Sequence, residues 1–271
     1  MRSFDPTYAD PELPHVDDHL VEPETPYEMY DGELVRVPPA DEPHAEQHVK
    51  VCVLVAAHVR PEYAVGADLL TRTSKVDDIA PDVNVYPRAR DPVTGRRQLQ
   101  LLAIEVVSTQ TLSNAARKAG KLAGRGVRRV FAIDVERERA LEWSTALAGW
   151  MVLDVTSHID DPVFEVPLPI GALVSAAISD NAVAAALIRR HNPIIDATKA
   201  ESRAEGKLEG RAEGMRESVF VLLAVRGIPV SVAARARIDA EQDLELLRGW
   251  LARAAGCASV DELFSVPPGH A

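Results

Sequence analysis

Two carboxylates stand where a folded chain has most difficulty accommodating them. Asp82 heads the apolar run Val83-Asn84-Val85, and Glu105 lies inside Leu101-Leu102-Ala103-Ile104-Glu105-Val106-Val107. An ionised carboxylate buried in a β-run carries a heavy desolvation cost unless a cation or a metal accompanies it. Any fold for this chain must therefore bring positive charge to both acids. Lys118 and Lys121 follow on a segment of helical pattern and are the nearest candidates in sequence. Two embedded acids on successive strands with a lysine beyond them form a constellation suited to phosphodiester chemistry.

The local charge agrees with that expectation. Between Tyr86 and Arg129 there are ten basic residues against two acids, although the whole chain carries a net charge of −11. Such a concentration of positive charge around embedded carboxylates is suited to a polyanion. The acidity lies elsewhere: residues 1–45 hold twelve acids and two bases, so the overall pI says little about the body of the protein.

Read in order, residues 1–26 form an acidic, proline-rich leader with prolines at 6, 11, 14, 23 and 26. Asp31-Gly32 is a turn signal before a strand ending at Val37. Asp41 suits the N-cap of a helix reaching about Val59, with Val49, Cys52, Val53 and Ala56 expected on its buried face. Strands are expected over 65–73, 80–86 and 99–107, the last two joined by a hairpin whose turn signals are Asp91-Pro92 and Thr94-Gly95. Ser113 is the expected N-cap of a helix ending near Arg125. Three further strands, over 129–135, 140–144 and 150–155, are followed by a proline-containing return and a helix over 181–191. Trp143 and Trp150 read as packing residues.

In the 193–216 connector, Glu205-Gly206, Glu209-Gly210 and Glu213-Gly214 recur every four residues. That period stacks each residue type along one helix face. The segment is expected to be a long exposed helix, with the 194–226 stretch pairing in a homodimer. Residues 217–271 have the pattern of a small helical bundle.

The ordered set Tyr27–Val35, His44, Pro81-Asp82-Val83, Glu105-Val106-Val107-Ser108, Lys118 and Gly126–Asp134 resembles the Uma-two type of restriction endonuclease family, a branch of the PD-(D/E)XK nuclease superfamily. The resemblance covers roughly residues 25–155. It implies an α/β fold: a mixed sheet with flanking helices forming a restriction-endonuclease-like core over 27–192. It also implies a divalent-metal site on the two middle strands, with Mg²⁺ or Mn²⁺ held by Asp82, Glu105 and the Val106 carbonyl, and DNA as the substrate. Val107 stands where the superfamily pattern has lysine, so the lysine is expected from the next helix, as Lys118 or alternatively Lys121. Near the family's cleft, Glu33 is a candidate third carboxylate, and His44 a candidate contact to the metal shell or a phosphate. Arg88, Arg90, Arg96, Arg97, Arg125 and Arg128 are the expected phosphate contacts. His48 and His58 read as surface or helix-packing residues.

Arg117 and Leu122, which replace an acid and a tyrosine of the family pattern, favour a second reading. In it the fold is a catalytically inactive DNA-binding or scaffold module that assembles through its C-terminal helices. No apolar stretch is long enough to span a membrane, and Cys52 and Cys257 read as reduced, so a cytoplasmic setting is expected.

Overall fold

A computed structural model of the chain describes residues 13–108 and 112–265. Residues 1–12, including Pro6 and Pro11 of the expected leader, lie outside the described part. The chain divides into two compact units, Met1–Asn192 and Pro193–Ala271.

The first unit opens with a hairpin, β1 (Tyr27–Tyr30) and β2 (Glu33–Arg36), turning at Asp31-Gly32, both with positive φ. Helix α1 (Glu42–His58) follows, capped by Asp41, whose side chain accepts a hydrogen bond from the His44 amide. Its buried residues are Val51, Leu54, Val55, Ala57 and His58, whereas Val49 and Val53 are 64% and 52% exposed. The expected face was therefore wrong. The sheet packs against the 51–54–55–58 stripe, which has the same helical spacing but is turned around the axis.

Strands β3 (Tyr63–Ala67), β4 (Thr71–Arg72), β5 (Asp78–Ile79), β6 (Val83–Pro87) and β7 (Leu102–Val107) come next. Helix α2 (Leu112–Arg125) begins before Ser113, so Ser113 is its second residue and not the cap. Strands β8 (Arg129–Asp134), β9 (Arg139–Ser144) and β10 (Gly149–Val152) complete the main sheet. The short pair β11 (His158–Ile159) and β12 (Leu168–Pro169) leads into α3 (Ile170–Val174) and α4 (Ala176–Arg189).

The six-stranded sheet has the order β10-β9-β8-β7-β6-β3, and only β7 and β8 run parallel, with α2 as the crossover between them. All six residues of β7 are buried, as expected of a strand covered on both faces. A smaller antiparallel sheet, β2-β1-β5-β4, leads into the start of β6. The main core gathers Leu54, Val55, Val83, Ile104, Phe131, Ile133, Phe164 and Leu173. On the other face of the sheet, Ala119 and Leu122 of α2 pack with Ala103 and Val130. The fold is thus a mixed α/β arrangement, as expected.

The second unit is helical. Helix α5 (Pro193–Val225) runs for 33 residues without interruption, through the point where the sequence pattern changes from connector to bundle. Helices α6 (Val232–Ala240) and α7 (Leu244–Ala254) and a 3₁₀ turn (Val260–Phe264) follow. Ala212, Val219, Leu223, Ile238, Leu247, Trp250 and Leu263 form its core. Among the described residues no helix is long and apolar enough to cross a membrane.

Candidate active site

The site begins with strand register. β6 and β7 are antiparallel with Val83 opposite Ile104, so Asp82, one residue before β6, stands beside Glu105. The Asp82 Oδ2 accepts the Val106 amide at 2.5 Å, which fixes its carboxylate against β7. Both acids are buried: Asp82 is 8% exposed and Glu105 is fully covered.

Lys118, from the middle of α2, reaches both the main sheet and the small one. Its Nζ donates to the Ala80 carbonyl at 2.8 Å and lies 3.2 Å from both Glu105 Oε2 and Glu28 Oε1. Lys121 turns away to Asp31 and Asp77, at 2.7 and 2.6 Å. Of the two candidate lysines, Lys118 shares a site with the embedded acids.

Glu28 is a third carboxylate that the sequence reading missed. It is 5% exposed, its Oε1 accepts the Ala80 amide at 2.8 Å, and its Oε2 accepts the Tyr30 hydroxyl at 2.7 Å. Burial holds the Tyr30 phenol above its ordinary range, so it remains a donor. Glu33, the expected third carboxylate, lies exposed on β2 and not in this group. The available signal was the period-two spacing of Glu28 and Tyr30, which puts both on one face of β1.

Around Lys118, three acids share one lysine. Burial pushes the Glu105 carboxyl well above the ordinary carboxylate range; Lys118 opposes this, and the Asp82 and Glu28 charges add to it. Burial would lower the Lys118 ammonium, but Glu105, Glu28, Tyr30 and Asp82 together hold it well above its usual value. Burial would likewise raise Asp82; the neighbouring His44 imidazole, the Lys118 charge and the Val106 amide outweigh it and keep the carboxyl low. Glu105 Oε2 meets the Lys118 ammonium at ion-pair distance without hydrogen-bond geometry, and Oε1 has no partner. A fully buried carboxylate oxygen left without a donor is rare in a stable core.

Two histidines complete the group. His44 Nε2 is 3.7 Å from Asp82 Oδ1, and His48 Nε2 is 2.6 Å from the Asp82 main-chain oxygen. The expected placement of His44 beside the acids agrees with this geometry, whereas reading His48 as a surface or packing residue does not. Spacing of four residues on α1 puts both rings on one face, and that was the overlooked signal.

The arginines nominated for phosphates lie elsewhere. Asp82 precedes β6 and the 88–97 loop follows it, so the five residues of β6 separate them by about 17 Å. Arg96 pairs with Asp17 and Asp18 at 2.9 and 2.7 Å, and Arg97 donates to the Val16 and Leu70 carbonyls. Arg88 donates to Pro61, Arg125 to Pro14, and Arg128 pairs with Asp161. Arg90 is exposed on the same remote loop. All but Arg90 brace the leader and loops through these contacts, and the structure does not bring the 88–97 loop to the carboxylates.

Residues 12–158 match the family model Uma2, described as "Putative restriction endonuclease". Among solved structures, the chain is similar to one described as a putative nuclease belonging to DUF820, from Anabaena variabilis ATCC 29413. The identity is 18%, the match covers 57% of this chain and 93% of that one, and the TM-score is 0.48. No curated protein matches.

Proposed function

Since this chain belongs to the Uma2 family of restriction endonuclease-type proteins, we propose that it is a divalent-metal-dependent endonuclease hydrolysing DNA phosphodiester bonds. The observation that carries the reading is Glu105, a fully buried carboxylate beside Asp82 whose Oε1 has no partner and whose Oε2 meets only the Lys118 ammonium at 3.2 Å. Unshared carboxylate lone pairs at this depth fit a hard cation, so Asp82, Glu105 and the Val106 carbonyl would hold Mg²⁺ or Mn²⁺. When bound, such an ion supplies Lewis acidity and a more acidic water.

The chain's own residues set up the rest. The Val106 amide holds Asp82 Oδ2 against β7 and leaves Oδ1 directed toward His44. Lys118 stays protonated, because acids surround it and the Ala80 carbonyl anchors it. Its role is therefore to orient the attacking water and offset charge on the phosphoryl oxygens, and not to act as a base. Glu28 positions Lys118. Water adds to phosphorus as the ester P–O bond breaks, and the departing oxygen takes up a proton. This reading rests on the carboxylate–lysine group and not on the nominated arginines. Self-association through α5 belongs to the same proposal, since Gly206, Gly210 and Gly214 have open space beside them; sedimentation of the full chain tests it.

The nuclease reading is tested by cleavage of supercoiled and single-stranded DNA with Mg²⁺ or Mn²⁺, comparing wild type with Asp82→Ala and Lys118→Ala. Metal-dependent nicking by wild type and its loss in both variants is the expected result. Wild type that cuts with neither metal, or variants that cut equally well, would leave the non-catalytic binding module as the better account.

A further inference from the structure

The histidine side of Asp82 has no part in that chemistry. The two carboxylate oxygens of Asp82 diverge: Oδ2 is held by the Val106 amide at 2.5 Å, and Oδ1 faces His44 Nε2 at 3.7 Å. His48 lies one helical turn beyond His44, with the two rings edge to face and their centroids 5.9 Å apart. One nitrogen of each histidine and one Asp82 oxygen all lie within 4.8 Å of one another. We propose that His44, His48 and Asp82 form a site for a transition-metal dication of the Mn²⁺-to-Zn²⁺ series, sharing Asp82 with the all-oxygen side at Glu105.

The donor chemistry selects the ion. Two imidazoles and one carboxylate suit first-row transition metals, whereas Mg²⁺ prefers oxygen donors and retains water. Three donors about 2.1 Å from one tetrahedral ion lie about 3.4 Å apart. The present spacing, within 4.8 Å, therefore needs a contraction of up to about 1.4 Å, which side-chain rotation would have to supply. His48 Nε2 would exchange the Asp82 carbonyl for the ion. The site is also braced. Asp41 caps α1 immediately before the pair and accepts the Ser108 hydroxyl from the end of β7 at 3.1 Å.

The inference rests on Asp82 facing a metal, as in the nuclease reading, but not on DNA cleavage. The test uses the metal-free full chain titrated with Mn²⁺, read by pulsed electron paramagnetic resonance for coupling to imidazole nitrogen and by calorimetry. Calorimetry with Mg²⁺ runs beside it. Nitrogen coupling in wild type and retained coupling in Glu105→Gln are expected. In His48→Ala, Mn²⁺ affinity should fall about tenfold or more while Mg²⁺ affinity holds. Absence of nitrogen coupling in wild type overturns the site, as does its loss in Glu105→Gln or an unchanged Mn²⁺ affinity in a folded His48→Ala. If His48→Ala does not fold, the wild-type spectrum alone decides. Nitrogen-coupled Mn²⁺ without DNA cleavage removes the nuclease and leaves the metal site; metal-dependent cleavage without nitrogen coupling does the reverse.

Discussion

Replacing Lys118 with methionine keeps the length of the side chain and removes its charge, leaving Glu105 and Glu28 without their shared cation. At 3.2 Å and an effective dielectric constant of about 20, each of the two ion pairs is worth roughly 5 kcal/mol of direct attraction. The burial cost of an ammonium group offsets much of that. Breaking a buried pair from one side leaves a net loss of about 3–5 kcal/mol. For a unit of this size, that corresponds to a fall of about 6–20 °C in Tm.

The pH dependence gives this prediction a second edge. Glu105 is held above its ordinary value chiefly by burial, with Lys118 opposing the shift, so removing Lys118 raises it further. A carboxyl raised in the folded state contributes stability that is fully present below its unfolded pKa and is lost as pH rises through the folded one. Wild type and Lys118→Met lose this stability alike until pH passes the wild-type folded value, so the deficit should grow as pH rises beyond it, well above the ordinary carboxylate range. Combining Lys118→Met with Glu105→Gln should recover at least half of the loss, because the stranded charge is gone. The assay is thermal and urea unfolding with chelator, followed by the edge-to-face Trp143–Trp150 pair of the first unit in a Trp250→Phe background. A deficit that is flat with pH, or a double variant no more stable than the single one, would refute the reasoning.

Other expectations follow from single contacts. His48 is raised to about 9, by its Cys52 hydrogen bond first, with burial opposing and the Asp82 carbonyl and charge adding; the stability this gives the metal-free protein is fully present below about 6.5 and is lost as pH rises through about 9. His48→Asn should accordingly flatten the decline of Tm over that interval, and an unchanged profile would count against it. Arg97→Met should cost about 1.5–3 kcal/mol in urea unfolding, since it strands the Val16 and Leu70 carbonyls. Gly171→Ala should destabilise the first unit by about 1–3 kcal/mol, because its added Cβ would sit 2.9 Å from the Val155 carbonyl oxygen. In the monomer, at dilutions that abolish self-association, Gly210→Ala should stabilise the second unit by about 1 kcal/mol through helix propensity, its Cβ meeting open space there; calorimetric scans of both glycine variants check the contrast.

How much of this was legible beforehand depended on whether the signal was local. Asp82 and Glu105 interrupt apolar runs, and the hairpin between them is written in turn residues, so their pairing could be anticipated. The choice of Lys118 over Lys121 depended on where α2 lies over β7, which no periodicity specifies. Glu28 was hidden because four residues of β1 are too short to declare a strand, and it meets Lys118 only through a second sheet. The buried face of α1 was misjudged for a related reason: valines occupy positions 49, 51, 53 and 55, and only packing decides which of them face inward. The 88–97 arginines lie near the acids in sequence but not in space. A hairpin carries its loop to the end of the sheet opposite the strand's first residue, and there the leader's acids and carbonyls were already waiting.

Asp41 has one further consequence. Its carboxylate closes the first turn of α1 through the His44 amide and also receives the Ser108 hydroxyl from the end of β7. One small clamp thus sets the gap between helix-borne imidazoles and sheet-borne acids, much as a spacer sets the jaw opening of a vice. Lengthening it by a single methylene, as in Asp41→Glu, would change that opening without touching any group that faces the cleft.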